Sequence, residues 1–248
     1  MIMVTITITT IITIIMTKLK NQTAVMQLLQ FTDSAFPVGT FSFSNGLETA
    51  AYEKIVSDKA TLHDFARSQA WQAAFTDGIA ALHSYRAFEK KDLKGILKAD
   101  SELMLSKMNE EARIMLTRMG KKLAELGVRL YPEDKIIKEW LDKINSTKTP
   151  GMYPVAQGMM FARAGLDEKD LFFSHQYGVI NMVLSAALRC VRVSHYDTQE
   201  ILFDLSEETE RLYDMVKDMR LDEMNAFFPE LDILASLHEK GNQRMFMS

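Results

Sequence analysis

Cysteine, proline and glycine are scarce in this chain. Of its 248 residues, 1 is cysteine, 5 are proline and 11 are glycine. The single cysteine, Cys190, excludes an intrachain disulfide framework and a zinc site built from several cysteines of one chain. The scarcity of glycine and proline favours a fold of long helices over a β-sandwich, which needs many tight turns. We therefore expect an all-α protein, and the lack of disulfides fits a reducing, cytoplasmic location.

The chain also lacks a positive charge excess and the motifs of common enzyme classes. Its formal net charge is −4, so the totals predict no basic face for nucleic acid. There is no GxGxxG, no P-loop, no GxSxG, no HExxH and no CxxC. The histidines lack metal-ligand spacing, and each is expected to be structural: His63, His83, His175, His195 and His238. We predict no catalytic residue, no metal site and no cofactor.

Residues 1–16 alternate isoleucine and threonine without a charge. A secretory signal would place basic residues before the apolar stretch, but Lys18 and Lys20 follow it. The stretch is too short and too rich in threonine to span a membrane. We predict that residues 1–24 are a disordered leader without membrane insertion, and that residues 1–16 are non-native, with Met16 or Met26 as alternative starts.

From residue 25 onward, apolar residues recur every three or four positions, which is the period of an amphipathic helix. This pattern predicts a single-domain helical bundle of about ten helices over residues 25–236. One helix is predicted to start behind Asp58 and another to run from Phe75 to Lys90. The longest apolar helix, from Glu168 to Val193, is expected to lie at the centre of the bundle.

Local signals predict several helix ends. Asn45 with Glu48, and Asp197 with Glu200, have the spacing of a capping box at a helix start. Pro154 suits the first turn of a helix, because its missing N–H is not needed there. Gly127 and Gly165 are predicted to end helices, since glycine adopts the left-handed conformation of a helix terminus.

The segment 33–48 joins a Pro-Val-Gly turn to an aromatic and serine-rich stretch that ends in Gly-Leu-Glu. Pro37 restricts φ, and Gly39 permits a sharp turn. Phe41 and Phe43 follow, directed at a surface or at the core. A loop that only leads into a helix would explain the turn residues, but it would not require both phenylalanines.

Two later stretches also stand out. The first begins with Tyr-Pro-Val-Ala-Gln-Gly at 153–158 and continues with Ala-Leu-Arg-Cys-Val at 187–191. The second is the C-terminus, with a His-Glu pair at 238–239 and the ending Arg-Met-Phe-Met-Ser at 244–248. Chain ends are usually polar, whereas arginine beside an aromatic residue is typical of binding hot spots. A segment packed on its own domain is the alternative explanation.

These three stretches resemble the UreF family of urease accessory proteins, most specifically in the segment 33–48. The chain departs from the family after Val191, where the family often has Pro-Leu-Gly-Gln and residues 192–195 are Arg-Val-Ser-His. Arg189 and the downstream Gln199 match the family by position. The resemblance extends from about Met26 to Ser248.

The resemblance implies a helical homodimer that bridges two urease maturation factors, UreD (UreH in some organisms) and the GTPase UreG. It would assist nickel insertion into the urease apoprotein and catalyse nothing itself. Residues 237–248 would form a partner-binding tail that inserts into UreD/UreH. The residues implicated in partner binding are Pro37, Gly39, Phe41, Phe43, Glu48, Arg189, Gln199, His238, Arg244, Met245, Phe246, Met247 and Ser248.

Two other functions remain open at this point. A helical enzyme could bring distant Asp, Glu and His residues together, and would then turn over a substrate without partners. A metal-binding chaperone could hold nickel through histidines, and would lose the metal when two or three of them are replaced.

Overall fold

The computed structural model describes residues 22–39, 43–239 and 245–246. These residues form α-helices with short connections and include no β-strand, which confirms the all-α class and a single domain of about ten helices. The helices are α1 (22–32), α2 (Leu47–Tyr52), α3 (Lys59–Ala73), α4 (Ile79–Glu89), α5 (Leu93–Ser106), α6 (Glu110–Leu130), α7 (Lys135–Asn145), α8 (Tyr153–Ala164), α9 (Glu168–Cys190), α10 (His195–Val216) and α11 (Pro229–Glu239). The predicted leader, residues 1–24, lies mostly outside the described residues.

Polar side chains cap many of the helix starts. The Asp58 carboxylate accepts a hydrogen bond from the Thr61 amide at 2.9 Å, which confirms the start predicted there. Pro154 lies in the first turn of α8, and Gly165, with φ of 71°, ends that helix as predicted. Further caps that sequence reasoning did not name are Asp92, Asn109, Asp134 and Asp167. Each cap satisfies an amide that the helix end would otherwise leave free.

The capping box predicted at Asn45 and Glu48 is wrong. Helix α2 begins at Leu47 behind Gly46, whose φ is 81°, and has no side-chain cap. The Asn45 side chain instead donates to Gln69 Oε1 at 3.4 Å. Glu48 does not cap because its carboxylate binds groups from the other end of the chain.

Two further predicted boundaries are wrong. Gly127 does not end a helix but lies inside α6, where an added Cβ would be 2.8 Å from Met160 Sδ. Its lack of a side chain serves packing rather than termination. Ser194, not Asp197, caps α10, and the two side chains form the capping box three residues earlier than predicted.

Helices α3 and α4, which the sequence predicted as separate, form one continuous helix interrupted by a π turn at Ala74–Gly78. A π turn inserts one extra residue and redirects the side chains that follow. It buries Thr76 and Asp77 in the interior. The apolar periodicity on either side persists, so the interruption has no clear sign in the sequence.

Helix α8 packs closely against α4 and α6 at two glycines. A Cβ on Gly158 would be 2.4 Å from the carbonyl oxygen of Ala81, and one on Gly120 would be 2.0 Å from that of Gly151. Both contacts are with backbone, which cannot move aside as a flexible side chain can. The missing side chains therefore let these backbones approach each other.

The core consists of two hydrophobic clusters. The first gathers side chains from α4, α5, α6 and α8, together with Phe31, Phe36 and Phe43. The second joins α2, α3, α9, α10 and α11, and includes Phe246 from the C-terminal segment.

Helix α9 is long and apolar enough to cross a membrane, but 61% of its most apolar stretch is buried. A central helix of a bundle has the same composition, so this is weak evidence for a membrane span.

We expect Gly120→Ala to destabilise the protein by about 1–3 kcal/mol or more, because the new methyl group would overlap the backbone at Gly151. Gly178→Ala is the matched control, since an added Cβ there has nothing within 4 Å. The control should instead stabilise α9 by about 0.5–1 kcal/mol through helix propensity. Urea denaturation followed by circular dichroism measures both, and equal effects at the two sites would contradict the close contact.

Candidate functional site

The C-terminal segment lies against the domain through residues 245 and 246. The Met245 amide donates to Glu48 Oε1 at 2.8 Å, and the Phe246 amide donates to Glu48 Oε2 at 3.2 Å. The Phe246 ring is 4% exposed, and the Arg189 guanidinium carbon lies 4.0 Å from its centroid. Met245 is 60% exposed. We call Glu48, Arg189, His238, Met245 and Phe246 the tail site.

This arrangement divides the predicted tail residues into two kinds. Phe246 packs on the chain's own second cluster, which is the alternative explanation raised from the sequence. Met245 projects outward next to it. Arg244, Met247 and Ser248 lie outside the described residues.

His238 lies between two carboxylates beneath the C-terminal segment. Its Nε2 is 2.9 Å from Glu48 Oε2, and its Nδ1 is 2.6 Å from Glu111 Oε1. Both His238 and Glu111 are buried. The next residue, Glu239, accepts the amides of Glu110 and Glu111 at 2.9 and 3.1 Å, which ties the end of α11 to the start of α6.

Glu48 is the ionised centre of the tail site. Burial alone would raise the pKa of its carboxyl, but hydrogen bonds from the Met245 amide, His238 and the Phe246 amide outweigh burial and lower that pKa. The neighbouring Cys190 behaves differently, since burial raises the pKa of its thiol to about 11. The thiol is therefore protonated and unreactive at neutral pH.

The Pro37–Gly39 turn lies beside the tail site. Pro37 is exposed, and Gly39 has φ of 91°, in the left-handed region that favours glycine. Phe43 is buried in the first cluster, whereas Phe41 lies outside the described residues. A cleft of about 600 Å³ is lined by Phe36 and Val38 of this turn and also by Arg189. The turn and the tail site thus share Arg189.

Gln199, in contrast, is separate from this cleft. It is exposed on α10 and lines an open groove between α1, α9 and α10. The groove measures about 1260 Å³ including open solvent and is mainly apolar, with Leu29, Tyr177 and Phe203 among its exposed side chains. The structure therefore separates Gln199 from Arg189, although both match the family by position.

A second cleft, of about 800 Å³, holds polar groups that the sequence did not single out. Lys107 pairs with Asp77 there and also donates to Thr76 Oγ1 at 3.1 Å. His175 is buried with its Nδ1 3.0 Å from Gln157 Oε1, and burial lowers its pKa, so the ring is neutral. Neither Asp77 Oδ1 nor His175 Nε2 has a hydrogen-bond partner among the described residues.

Several residues of these sites could not be found from the sequence. Glu111 lies in the first turn of α6, where an acidic side chain interacts favourably with the helix dipole. Its presence there needs no further explanation, so the sequence does not reveal its contact with His238. Asp77 is brought to the cleft by the π turn, and His175 lies in the apolar α9. Within the ranges that the structure describes, no three His, Cys, Asp or Glu side chains are grouped so that they could hold a metal ion.

Replacing Lys107 with Met should lower the free energy of unfolding by about 3–5 kcal/mol, because the buried Asp77 carboxylate would lose its cation. The double variant Lys107→Met, Asp77→Asn should recover most of that loss, since no buried charge remains. Denaturant unfolding of both single variants and the double variant completes the cycle. Purely additive losses would show that the two side chains do not depend on each other.

Comparison with known proteins agrees with the resemblance seen in the sequence. The model of the UreF family matches residues 56–206. The chain is 44% identical to the Brucella canis protein named urease accessory protein UreF 2, over 223 residues that cover 90% of this chain and 91% of that protein. It is 41% identical to urease accessory protein UreF of Yersinia pseudotuberculosis, over 226 residues that cover 91% of this chain and 99% of the relative. The chain belongs to the UreF family of urease accessory proteins.

Proposed function

We propose that this chain is a non-catalytic scaffold of urease maturation. It bridges UreD (UreH in some organisms) and the GTPase UreG, and it modulates GTP-dependent delivery of nickel to the urease apoprotein. It acts as a homodimer in the cytoplasm and contributes no catalytic residue and no resident metal site. Membership of the UreF family supports the role in urease maturation, because the relatives carry the name urease accessory protein.

The tail site is the observation that carries the proposed contact with UreD/UreH. Its buried Phe246 and the two hydrogen bonds to Glu48 hold Met245 at a defined place on the surface. An apolar side chain that is already held in place loses less conformational entropy on binding than one on a free chain end. Arg244, Met247 and Ser248 flank this anchored pair and complete the proposed contact.

We place a second assembly contact on the groove that contains Gln199. Its exposed aromatic side chains, Tyr177 and Phe203, form an apolar surface of the kind that protein partners cover. The Pro37–Gly39 turn next to Arg189 provides a third contact. The groove and the turn are the two surfaces that we propose for these contacts. The second subunit of the homodimer would occupy one of them and the GTPase UreG the other.

Met245→Glu should weaken capture of UreD/UreH at least tenfold, because an unpaired charge in an apolar contact costs several kcal/mol and about 1.4 kcal/mol corresponds to tenfold. Leu130→Glu is the matched control, because Leu130 is also exposed (41%) and lies at the far end of α6. The two ends of α6 are about 30 Å apart. Co-purification with UreD/UreH and UreG compares these variants with the unmodified chain and with one that ends before Arg244.

Circular dichroism and thermal unfolding establish that every variant is folded. Loss of capture by Met245→Glu and by the shortened chain, with full capture by Leu130→Glu, supports the proposed contact. Full capture by a folded Met245→Glu would exclude Met245 from it. If the unmodified chain captures neither partner but binds nickel or turns over a substrate by itself, the scaffold proposal is wrong.

A further inference from the structure

Both ring nitrogens of His238 face carboxylate oxygens. The ring is buried, and each of its nitrogen atoms faces a carboxylate oxygen, at 2.6 Å on Glu111 and at 2.9 Å on Glu48. An ionised carboxylate can accept hydrogen bonds but cannot donate one. If both carboxylates are ionised, the two contacts need two N–H donors, and an imidazole with both nitrogens protonated carries a positive charge.

The same contacts connect the ring to the C-terminal segment. Glu48 Oε2 accepts from both His238 Nε2 and the Phe246 amide, and Glu48 Oε1 accepts from the Met245 amide. If Nε2 lost its proton, its lone pair would face the lone pairs of Glu48 Oε2. That repulsion would displace the carboxylate that holds both amides.

We propose that Glu48 and Glu111 are both ionised, and that they form with His238 a latch that holds Met245 and Phe246 on the domain only while the His238 ring is positively charged. When the ring loses its proton from Nε2, the segment leaves the domain and the Phe246 ring becomes exposed. The latch is a property of this chain alone, so it goes beyond the proposed function and does not rest on it.

Charged and titratable groups face the ring and its carboxylates from four helices. Glu48 faces it from α2 and Glu111 from α6, while Glu239 is its neighbour on α11. From α9, Cys190 lies close enough to Glu48 to interact with its charge, and Arg189 stacks on Phe246.

The charged His238 ring and the ionised Glu48 carboxylate give the docking of the segment opposite pH dependences. The charged ring stabilises the docked segment at low pH, and this contribution is lost as the pH rises and the ring deprotonates. The lowered pKa of Glu48 acts in the opposite direction, because its contribution is present above the usual carboxyl range and is lost on acidification. The segment is therefore docked in a pH window and released on the alkaline side by the ring.

Nuclear magnetic resonance of the full chain tests the latch directly. A ¹⁵N-histidine label reports the protonation of both His238 ring nitrogens, and a ¹⁵N-phenylalanine label reports the Phe246 amide. Between about pH 6 and about pH 9, which spans the usual range of imidazole titration and extends above it, we expect the two signals to change with one midpoint. A ring nitrogen that is unprotonated while the Phe246 amide remains docked would overturn the proposal.

Variants separate the latch from a general loss of structure. His238→Gln should increase hydrogen exchange at the Phe246 amide at least tenfold, roughly the effect of losing one hydrogen bond to a charged group. Glu111→Gln should move the common midpoint to lower pH, because one carboxylate that favours the charged ring is gone. His83→Gln is the control, since His83 bonds to the Met219 carbonyl and should leave Phe246 unchanged.

Far-ultraviolet circular dichroism shows whether His238→Gln is folded. If it is folded and the Phe246 amide exchanges as slowly as in His83→Gln, the latch is wrong. If it is unfolded, the titration of the unmodified chain decides. Separate midpoints for the ring and the amide would also overturn the proposal.

Discussion

The carboxylate of Glu48 joins the start of the domain to the end of the chain. It accepts hydrogen bonds from His238 and from the amides of Met245 and Phe246. A carboxylate in a partly buried position is costly unless several donors satisfy it, and these donors come from residues almost two hundred positions away. The tail site is therefore cooperative, because the segment, the histidine and the carboxylate each need the others.

The helical frame holds these groups in place. Helix α6 packs at Gly120 against the segment that leads into α8. Nine residues earlier on the same helix, Glu111 forms a hydrogen bond with His238. A helix rises 1.5 Å per residue, so the two contacts are about 14 Å apart on one rigid element. The packing of the first core cluster is thus connected mechanically to the tail site, although the site itself lies against the second cluster.

The residues that carry the family resemblance do not all lie together in three dimensions. Glu48, Arg189, His238, Met245 and Phe246, named from separate stretches of sequence, lie together in one site. Gln199 lies in another groove, on the exposed side of α10. Their roles in partner binding remain predictions, and Phe41 and Arg244 fall outside the described residues.

The sequence by itself determined the all-α class, an approximate count of about ten helices and those boundaries that depend on local chemistry, such as Asp58, Pro154 and Gly165. These features follow from the helical period and from the hydrogen-bonding needs of helix ends, which are properties of neighbouring residues. Only the tertiary structure decided that Glu48 binds the C-terminal segment instead of capping α2, and that Gly127 serves packing. It also paired Glu111 with His238 and buried Asp77 through a π turn. Each of these outcomes depends on groups far apart in the chain, and a local pattern contains no information about them.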